Sequence, residues 1–352
     1  MTIAISGVTD ASGNAVAPQS TTFQTGAGAD ITAPTVTASS LDSGDSPNVP
    51  QNTAFTLEFS KPMNLLSLQV SSNFYLYDNT AGAYVATNRS FSADGTIAYI
   101  NATSPLPASH SVVLGARNAT DLTGNTVTSF SVSFTVSSTS DTNSPVVTAT
   151  NPGGAVNPPT NSVIQAQFNK PVQATSLSQA TLTAGASSIA VTPSLSGGDQ
   201  ILTLTPGAPL SPNTVYTVTV TGVNSLAGIP MAAPVVFSFT TSAGAQLSGT
   251  AALSTVPASG VTGVPANVTP TVTFSNPINP ATAAAGVVLY VNATNAVVPS
   301  TLSFSADFKT ATITPAAPLS SGTVYSIRTN GNVTDQTGQA ETAAVNHTFT
   351  VQ

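Results

Sequence analysis

The chain has 352 residues with Lys+Arg 6, Asp+Glu 13, His 2, no Cys and no Trp, a formal net charge of -7 and only 5% charged residues, where about 25% is usual. Six cationic residues cannot build the phosphate-neutralising surface that nucleic acid requires, so nucleic acid is excluded as a partner. The lack of Cys excludes disulfides, thiolate metal sites and cysteine nucleophiles, and two His leave little for imidazole chemistry.

Solubility therefore rests on the 99 Ser and Thr rather than on charge. No apolar run approaches the roughly 18 residues of a membrane-spanning helix, so no transmembrane segment is expected. Met1 is followed by Thr-Ile-Ala-Ile-Ser-Gly-Val-Thr-Asp, with neither the basic start nor the apolar stretch of a secretory signal.

In chain order the first landmark is Asp10-Ala-Ser-Gly13-Asn14, followed by a strand ending Thr22-Phe23-Gln24-Thr25. The same turn and strand close each later repeat, so residues 1–26 read as the last two strands of an incomplete repeat. Two strands cannot bury a core alone. They call either for upstream sequence of a longer protein or for strands donated by another molecule, and the former is expected because the last repeat reads as complete through Val351.

Three full repeats follow, separated by the small polar stretches Gly26–Asp30, Ser137–Asp141 and Ser242–Gln246. They are placed at residues 31–136, 142–241 and 247–352. Each has a strand closed by Phe-x-x-Pro: Phe59-Ser-Lys-Pro62, Phe168-Asn-Lys-Pro171 and Phe274-Ser-Asn-Pro277. Each then has a hairpin segment, running from Phe91 to Leu106, from Leu195 to Leu210 and from Phe304 to Leu319, at offsets of 104 and 109 residues. Each ends with a turn, Asp121-Leu-Thr-Gly124-Asn125, Ser225-Leu-Ala-Gly228 or Asp335-Gln-Thr-Gly338-Gln339, before the last strand.

Alternation with period two is clear in Tyr216-Thr-Val-Thr-Val-Thr, Thr271-Val-Thr-Phe and Ser131-Val-Ser-Phe-Thr-Val, and no segment shows convincing helical periodicity. Strands with turn signals every 8 to 12 residues, in units of about 100 residues, predict an all-β chain of antiparallel sandwiches. The turn Asp is expected to accept hydrogen bonds from its own backbone two residues on, with the Gly supplying positive φ. Tyr216 and Tyr325 sit where a Tyr ties down the corner before the penultimate strand; the first full repeat has Val112 there, so its corner must be held otherwise.

The ordered set Ala33-Pro34-Thr-Val36, Phe59-Ser-Lys-Pro-Met63, Phe91-Ser-Ala-Asp-Gly-Thr-Ile-Ala98, Pro209-Leu-Ser-Pro-Asn-Thr-Val-Tyr216 and Asp121-Leu-Thr-Gly-Asn125 resembles the bacterial Ig-like domain of the S-layer type, over essentially the whole chain. The departures are Ser225 for the turn Asp, Val112 for Tyr, and Gly249-Thr250 where the other repeats begin at Pro34 and Pro145. The resemblance implies tandem Ig-like sandwiches arranged as an elongated rod, an extracellular or bacterial cell-surface location, and no catalytic residues. It implies a spacer or surface-assembly role in a fibre, S-layer or adhesin stalk, with neighbouring copies as partners.

Few residues offer chemistry. Asp42 and Asp45 could supply calcium oxygens, though a solvated loop explains them as well. Sandwich topology brings the turn before the last strand to the same pole as the incoming linker, so Asp121 should face Asp30, with Lys61 nearby. That joint is expected either to hold calcium through Asp30 and Asp121 or to form a Lys-carboxylate bridge, with separate Asx-turns as the alternative; the matching sets are Asp141, Asn224 and Lys170, then Gln246, Asp335 and Asn276. No other cofactor is implied.

Seven Asn-x-Ser/Thr sequons, at Asn88, Asn101, Asn118, Asn267, Asn292, Asn332 and Asn346, are accounted for by composition. His110 and His347 are explained by surface and strand positions. Tyr75, Tyr77 and Tyr84 form the one aromatic group suited to a surface glycan or protein, with sandwich packing as the plainer explanation. The functions left in view are a structural self-assembling segment, an adhesin module binding host or surface glycan or protein, and accessory modules of a secreted enzyme.

Overall fold

The computed structural model describes residues 1–26, 28–41, 49–153 and 157–352. Asp42 and Asp45 lie outside the described residues. β1 (Thr2–Ile5) and β2 (Gln19–Thr22) pair antiparallel with Thr2 opposite Thr22, and every residue of both strands is exposed.

The first full repeat is a two-sheet sandwich. One sheet has the order β3 (Val36–Ser39), β4 (Ala54–Phe59), β8 (Ile97–Ala102), β7 (Thr87–Phe91), and the other has β10 (Phe130–Thr135), β9 (Ser111–Ala116), β5 (Phe74–Asp78), β6 (Ala83–Tyr84). Alternation sends Phe55, Leu57 and Phe59 from one sheet, and Phe74, Leu76, Val112 and Leu114 from the other, into a common core. Fully burying each such side chain contributes about 1.5–3 kcal/mol.

The second repeat repeats this plan with β11 (Val147–Asn151), β12 (Ile164–Phe168), β16 (Ile201–Pro206) and β15 (Val191–Ser196) against β14 (Ser187–Ile189), β13 (Thr181–Ala184), β17 (Val215–Val220) and β18 (Val235–Thr240). In the third, β19 (Ala252–Val256), β21 (Thr271–Phe274), β25 (Thr310–Pro315) and β24 (Ser300–Phe304) face a five-stranded sheet of β20 (Val261–Val264), β27 (Asn346–Val351), β26 (Val324–Thr329), β22 (Val287–Val291) and β23 (Ala296–Val297). There β20 runs parallel to β27, and the parallel bridge between Val49 and Val136 keeps a trace of that pairing in the first repeat.

The strands before Phe-x-x-Pro stop at Phe59, Phe168 and Phe274, because Pro has no N–H for the ladder. Short helices then follow that the alternation did not predict. They are α1 (Leu65–Gln69), a 3-10 turn at Ala174–Gln179 and α2 (Pro280–Gly286), each at most seven residues long and so below the length at which apolar periodicity shows. Asn64 and Asn279 cap α1 and α2 by accepting from Leu66 N and Ala281 N.

Two corners are tied by tyrosine: Ser211 N donates to Tyr216 Oη and Ser320 N to Tyr325 Oη, each at 2.9 Å. In the first repeat the corner is held instead by His110, whose Nδ1 lies 2.7 Å from Asp78 Oδ2. His110 is thus half-buried, with a ring nitrogen hydrogen-bonded to Asp78, rather than a plain surface residue. Burial works against the Asp78 carboxylate, but the Ala81 N–H, the His110 ring and the Thr80 N–H outweigh it and hold its carboxyl below the ordinary range.

Candidate functional site

Among the described residues, those at the ends of the repeats form polar arrangements that recur along the chain. At the first joint Lys61, between β4 and α1, donates to Asp30 Oδ1 and Oδ2 at 2.8 and 2.7 Å and to Thr32 O and Oγ1 at 2.7 Å. Its Nζ also lies 3.5 Å from Asp121 Oδ2. Asp121 is 2% exposed. Burial opposes its charge, but the Asn125 side chain, the Thr123 hydroxyl and the N–H groups of Asn125 and Thr123 hold the carboxyl far below the usual carboxylate range.

Asp30 and Asp121 are therefore both drawn to one ammonium. The oxygen set around Nζ, made of two from Asp30, two from Thr32 and one from Asp121, is of the hard type that calcium takes, and the Lys61 charge stands at its centre. Among the described residues no group of three or more His, Asp or Glu is placed to hold a metal.

At the second joint Lys170 donates to Asp141 Oδ1 at 2.7 Å and to Asn143 O at 2.9 Å. The turn position equivalent to Asp121 is Ser225, not Asn224. The latter aligns with Thr120, since both bridge to the far side of the same turn, Asn224 to Pro230 and Thr120 to Thr126. At the third joint the cation is gone: Gln246 Nε2 donates to Asp335 Oδ2 at 2.7 Å, and Asn276 Nδ2 donates to Ser248 O and Gly249 O.

Two further devices recur that the charge pattern does not reveal. The first is an amide clamp. Asn52 of the first repeat donates to Asp141 O at 2.7 Å and accepts from Asp141 N at 2.8 Å, and Asn161 of the second does the same with Gln246 at 2.8 and 2.9 Å. Its signal in the sequence is Pro50-Gln-Asn52, Pro159-Thr-Asn161 and Pro265-Ala-Asn267. The second device is a plug. Leu226, in the turn before β18, is buried within the core of the first repeat, and Ala54 N donates to Leu226 O at 2.9 Å. Gln336 takes the same place at the next joint, where Val163 N donates to Gln336 O at 3.0 Å.

The helical segments after Phe-x-x-Pro complete these joints. The 3-10 turn at Ala174–Gln179 packs on β3 and β4, and α2 packs on β11 and β12. Gln173 Nε2 donates to Ala54 O and Leu226 O, and Asn279 Nδ2 donates to Gln165 Oε1. A cleft of about 430 Å³ between the second and third repeats, lined by Thr148, Gln167, Pro280, Val288, Val298 and Phe304 among others, has no titratable side chain in its wall.

Family comparison agrees with this architecture: the model of the bacterial Ig-like domain matches residues 30–136, 141–241 and 249–351. The chain belongs to the bacterial Ig-like domain family. Solved structures similar to it include the N-terminal part of the bacterial S-layer protein SbsC, at 15% identity and a TM-score of 0.25, covering 59% of this chain and 44% of that one. Another is the S-layer protein rSbsC(31-844), at 12% identity and a TM-score of 0.25, covering 91% of this chain and 54% of that one. The chain spans about half the length of these S-layer structures. At such identities and scores the likeness carries no role from those proteins to this one. Among curated proteins none matches.

Tyr75, Tyr77 and Tyr84 lie together, but on the face of the second sheet opposite the Ig-like core, since Phe74 and Leu76 take the inward positions of β5. Tyr84 meets Tyr75 and Tyr77 edge to face at 5.7 and 5.1 Å, and Arg117 stacks on Tyr75 at 5.0 Å while donating to Tyr84 Oη at 2.7 Å. Gly115 is required beneath them, because any side chain there would overlap the Tyr75 ring. Among the described residues no helix is long and apolar enough to cross a membrane.

Proposed function

We propose that this chain is a structural repeat segment of an extracellular bacterial surface protein, a fibre, S-layer or adhesin stalk, acting as a spacer and as a self-assembly surface. The observation that carries the reading is the repeated joint. A spacer must transmit orientation from one domain to the next, and each joint between full repeats combines a buried plug, an amide clamp and a polar bridge. Bacterial Ig-like domains in tandem and the near absence of charge on the sandwich faces support it, since hydroxyls desolvate more cheaply than ions.

Small-angle scattering of the chain tests the spacer role. A single narrow distribution of interdomain distances that broadens in Asn161→Ala is expected. A broad distribution already present in the unaltered chain would remove the reading.

A second reading, an adhesin module, has one observation in its favour: Tyr84 is 43% exposed beside Tyr77 and Arg117 on an outer sheet face. Edge-to-face rings make a poorer sugar platform than a flat one. A glycan array on the chain and on Tyr84→Ala separates the two, with binding lost in the variant required for this reading.

A further inference from the structure

One position that meets the core is apolar in the first two repeats and acidic in the third. It follows the turn before the last strand and closes it by donating its N–H back across the turn: Val127 to Ala119 O, Met231 to Val223 O and Glu341 to Val333 O. Val127 belongs to the core of the first repeat, and Met231 packs on that of the second. The residue that meets Glu341, Thr329 in β26, is likewise apolar in the other repeats, as the fully buried Ala116 and Val220.

Thr329 Oγ1 accepts from Val345 N at 2.9 Å and so gives its one proton to Glu341 Oε1, at 2.7 Å. Glu341 Oε2 is buried and has no hydrogen-bond partner among the described residues. Burial pushes the carboxyl above its ordinary range, against the Thr329 hydroxyl and the Ala252 N–H, which favour the charged form. A buried oxygen without a partner costs more in a carboxylate than in a neutral acid.

The other titratable groups of the elements around Glu341 are engaged elsewhere. Arg328, beside Thr329 in β26, stacks on Tyr290 at 4.7 Å, and Tyr325 is tied to Ser320 N. Asp335, at the start of the turn, accepts from Gln246 Nε2, Thr337 N and Gln339 N. His347 in β27 bonds Thr255 Oγ1 at 2.9 Å. Asp307 and Lys309 lie in the connection between β24 and β25, and neither the stretch 248–256 nor α2 carries a titratable side chain.

The turn that Glu341 closes also carries the plug. Gln336 lies between Asp335 and Glu341, and its carbonyl accepts from Val163 N and Asn151 Nδ2 of the second repeat at 3.0 and 3.1 Å. We propose that Glu341 is a proton-operated switch on the joint between the second and third repeats, holding the plug turn firm when neutral and loosening it when charged. A carboxylate at this position is drawn toward water, and it pulls on the base of the loop whose tip is seated in the second repeat.

The sign is opposite to that of a carboxylate held below its ordinary value. A folded value raised above the unfolded one, about 4.3 for Glu, gives stability that is complete below about pH 4.3 and is lost as pH rises through the folded value. The third repeat is therefore firmest in mild acid, and Val127 and Met231 give the first two no such response. This rests on the spacer reading above for its purpose, yet the scattering test with Asn161→Ala passes or fails whatever Glu341 does.

Hydrogen exchange of the full chain, read by mass spectrometry at about pH 5 and about pH 7.5 and corrected for intrinsic rates, tests the switch. It is run on the unaltered chain, on Glu341→Gln and on Glu341→Met, which copies Met231. In the unaltered chain the peptides holding Val163 and residues 333–341 are expected to lose protection severalfold at the higher pH, while the peptide holding Ala54 at the preceding joint does not. Both variants are expected to remove the difference, and unchanged exchange in the first repeat shows that they fold. The same pH response in both variants assigns it to another group, such as His347, and overturns the proposal. No response in the unaltered chain overturns it equally, and a response in residues 333–341 without one at Val163 overturns the coupling to the joint.

Discussion

Leu226 belongs by sequence to the second repeat and by packing to the first: its side chain lies in the core with Leu41, Val49 and Phe55, and its carbonyl accepts the Ala54 N–H at 2.9 Å. The two domains therefore share apolar surface at this joint. Leu226→Ala is expected to cost about 2–5 kcal/mol, as for other buried leucines. Denaturant unfolding of the chain should show the first repeat melting earlier in the variant, although the altered residue is in the second.

Gln336 occupies the same socket one joint later and is 1% exposed. Its carbonyl is bonded by Val163 N and by Asn151 Nδ2, but its side-chain Oε1 and Nε2 have no partner among the described residues. Burying an unpaired amide costs about 1–3 kcal/mol. Gln336→Leu, which copies Leu226, is expected to raise stability by that amount, read as a higher denaturation midpoint with unchanged slope. A lower midpoint would show that the amide is satisfied after all.

Most of the fold was legible in the sequence because its turns carry chemistry. Gly124 and Gly338 have φ of 92° and 82°, and Asp121 and Asp335 accept from the N–H two residues on at 2.9 Å, so a repeating Asp-x-x-Gly has one local solution. The joints were legible only in part. Lys61 and Lys170 stand out in a chain with six cations, whereas Asn52 and Asn161 are lost among many Asn, and Leu226 reads as one more apolar residue. The His110–Asp78 pair was not legible, because the two residues are 32 positions apart and only the missing phenol at Val112 pointed to an alternative tie.

The tyrosine corners give a direct comparison between repeats. Tyr216→Phe and Tyr325→Phe each leave a Ser N–H without its acceptor, at a cost of about 0.5–1.5 kcal/mol. Val112→Tyr in the first repeat is expected to lower stability, not raise it, because Val112 is fully buried in a filled core and overpacking costs about 1–3 kcal/mol. Thermal unfolding of the three variants checks the pattern.

Acid should loosen the joints and the His110 corner of the first repeat. Asp121, Asp141 and Asp78 all have carboxyls held below the ordinary value, which for the unfolded chain is about 3.9. A depressed folded value means that the unfolded state binds protons first as pH falls. Their contribution is complete above the unfolded value and is lost as pH falls from about 4 through the lower folded values. Denaturation midpoints should be flat in this respect from neutrality to about pH 5 and fall below that. Asn125→Ala, which removes a donor to Asp121, should make the fall shallower.

Lys61 supplies the charge that the Asp30, Thr32 and Asp121 oxygens surround, with contacts of 2.7–2.8 Å to Asp30 and Thr32. With that ammonium in place a divalent ion meets repulsion as well as ligands, so calcium added to the unaltered chain is expected to leave interdomain distances and melting unchanged. Lys61→Ala removes the cation and leaves the oxygens. Asp121 is then a buried carboxylate without its nearby positive charge, and the first repeat should melt earlier. Hard oxygen ligands without a competing ammonium are what calcium takes, so added calcium should restore part of the loss in Lys61→Ala, and magnesium, which demands a smaller and stricter octahedron, should restore less. A calcium response in the unaltered chain equal to that of the variant would mean that the ammonium yields to the metal, making the joint a calcium site rather than a lysine bridge.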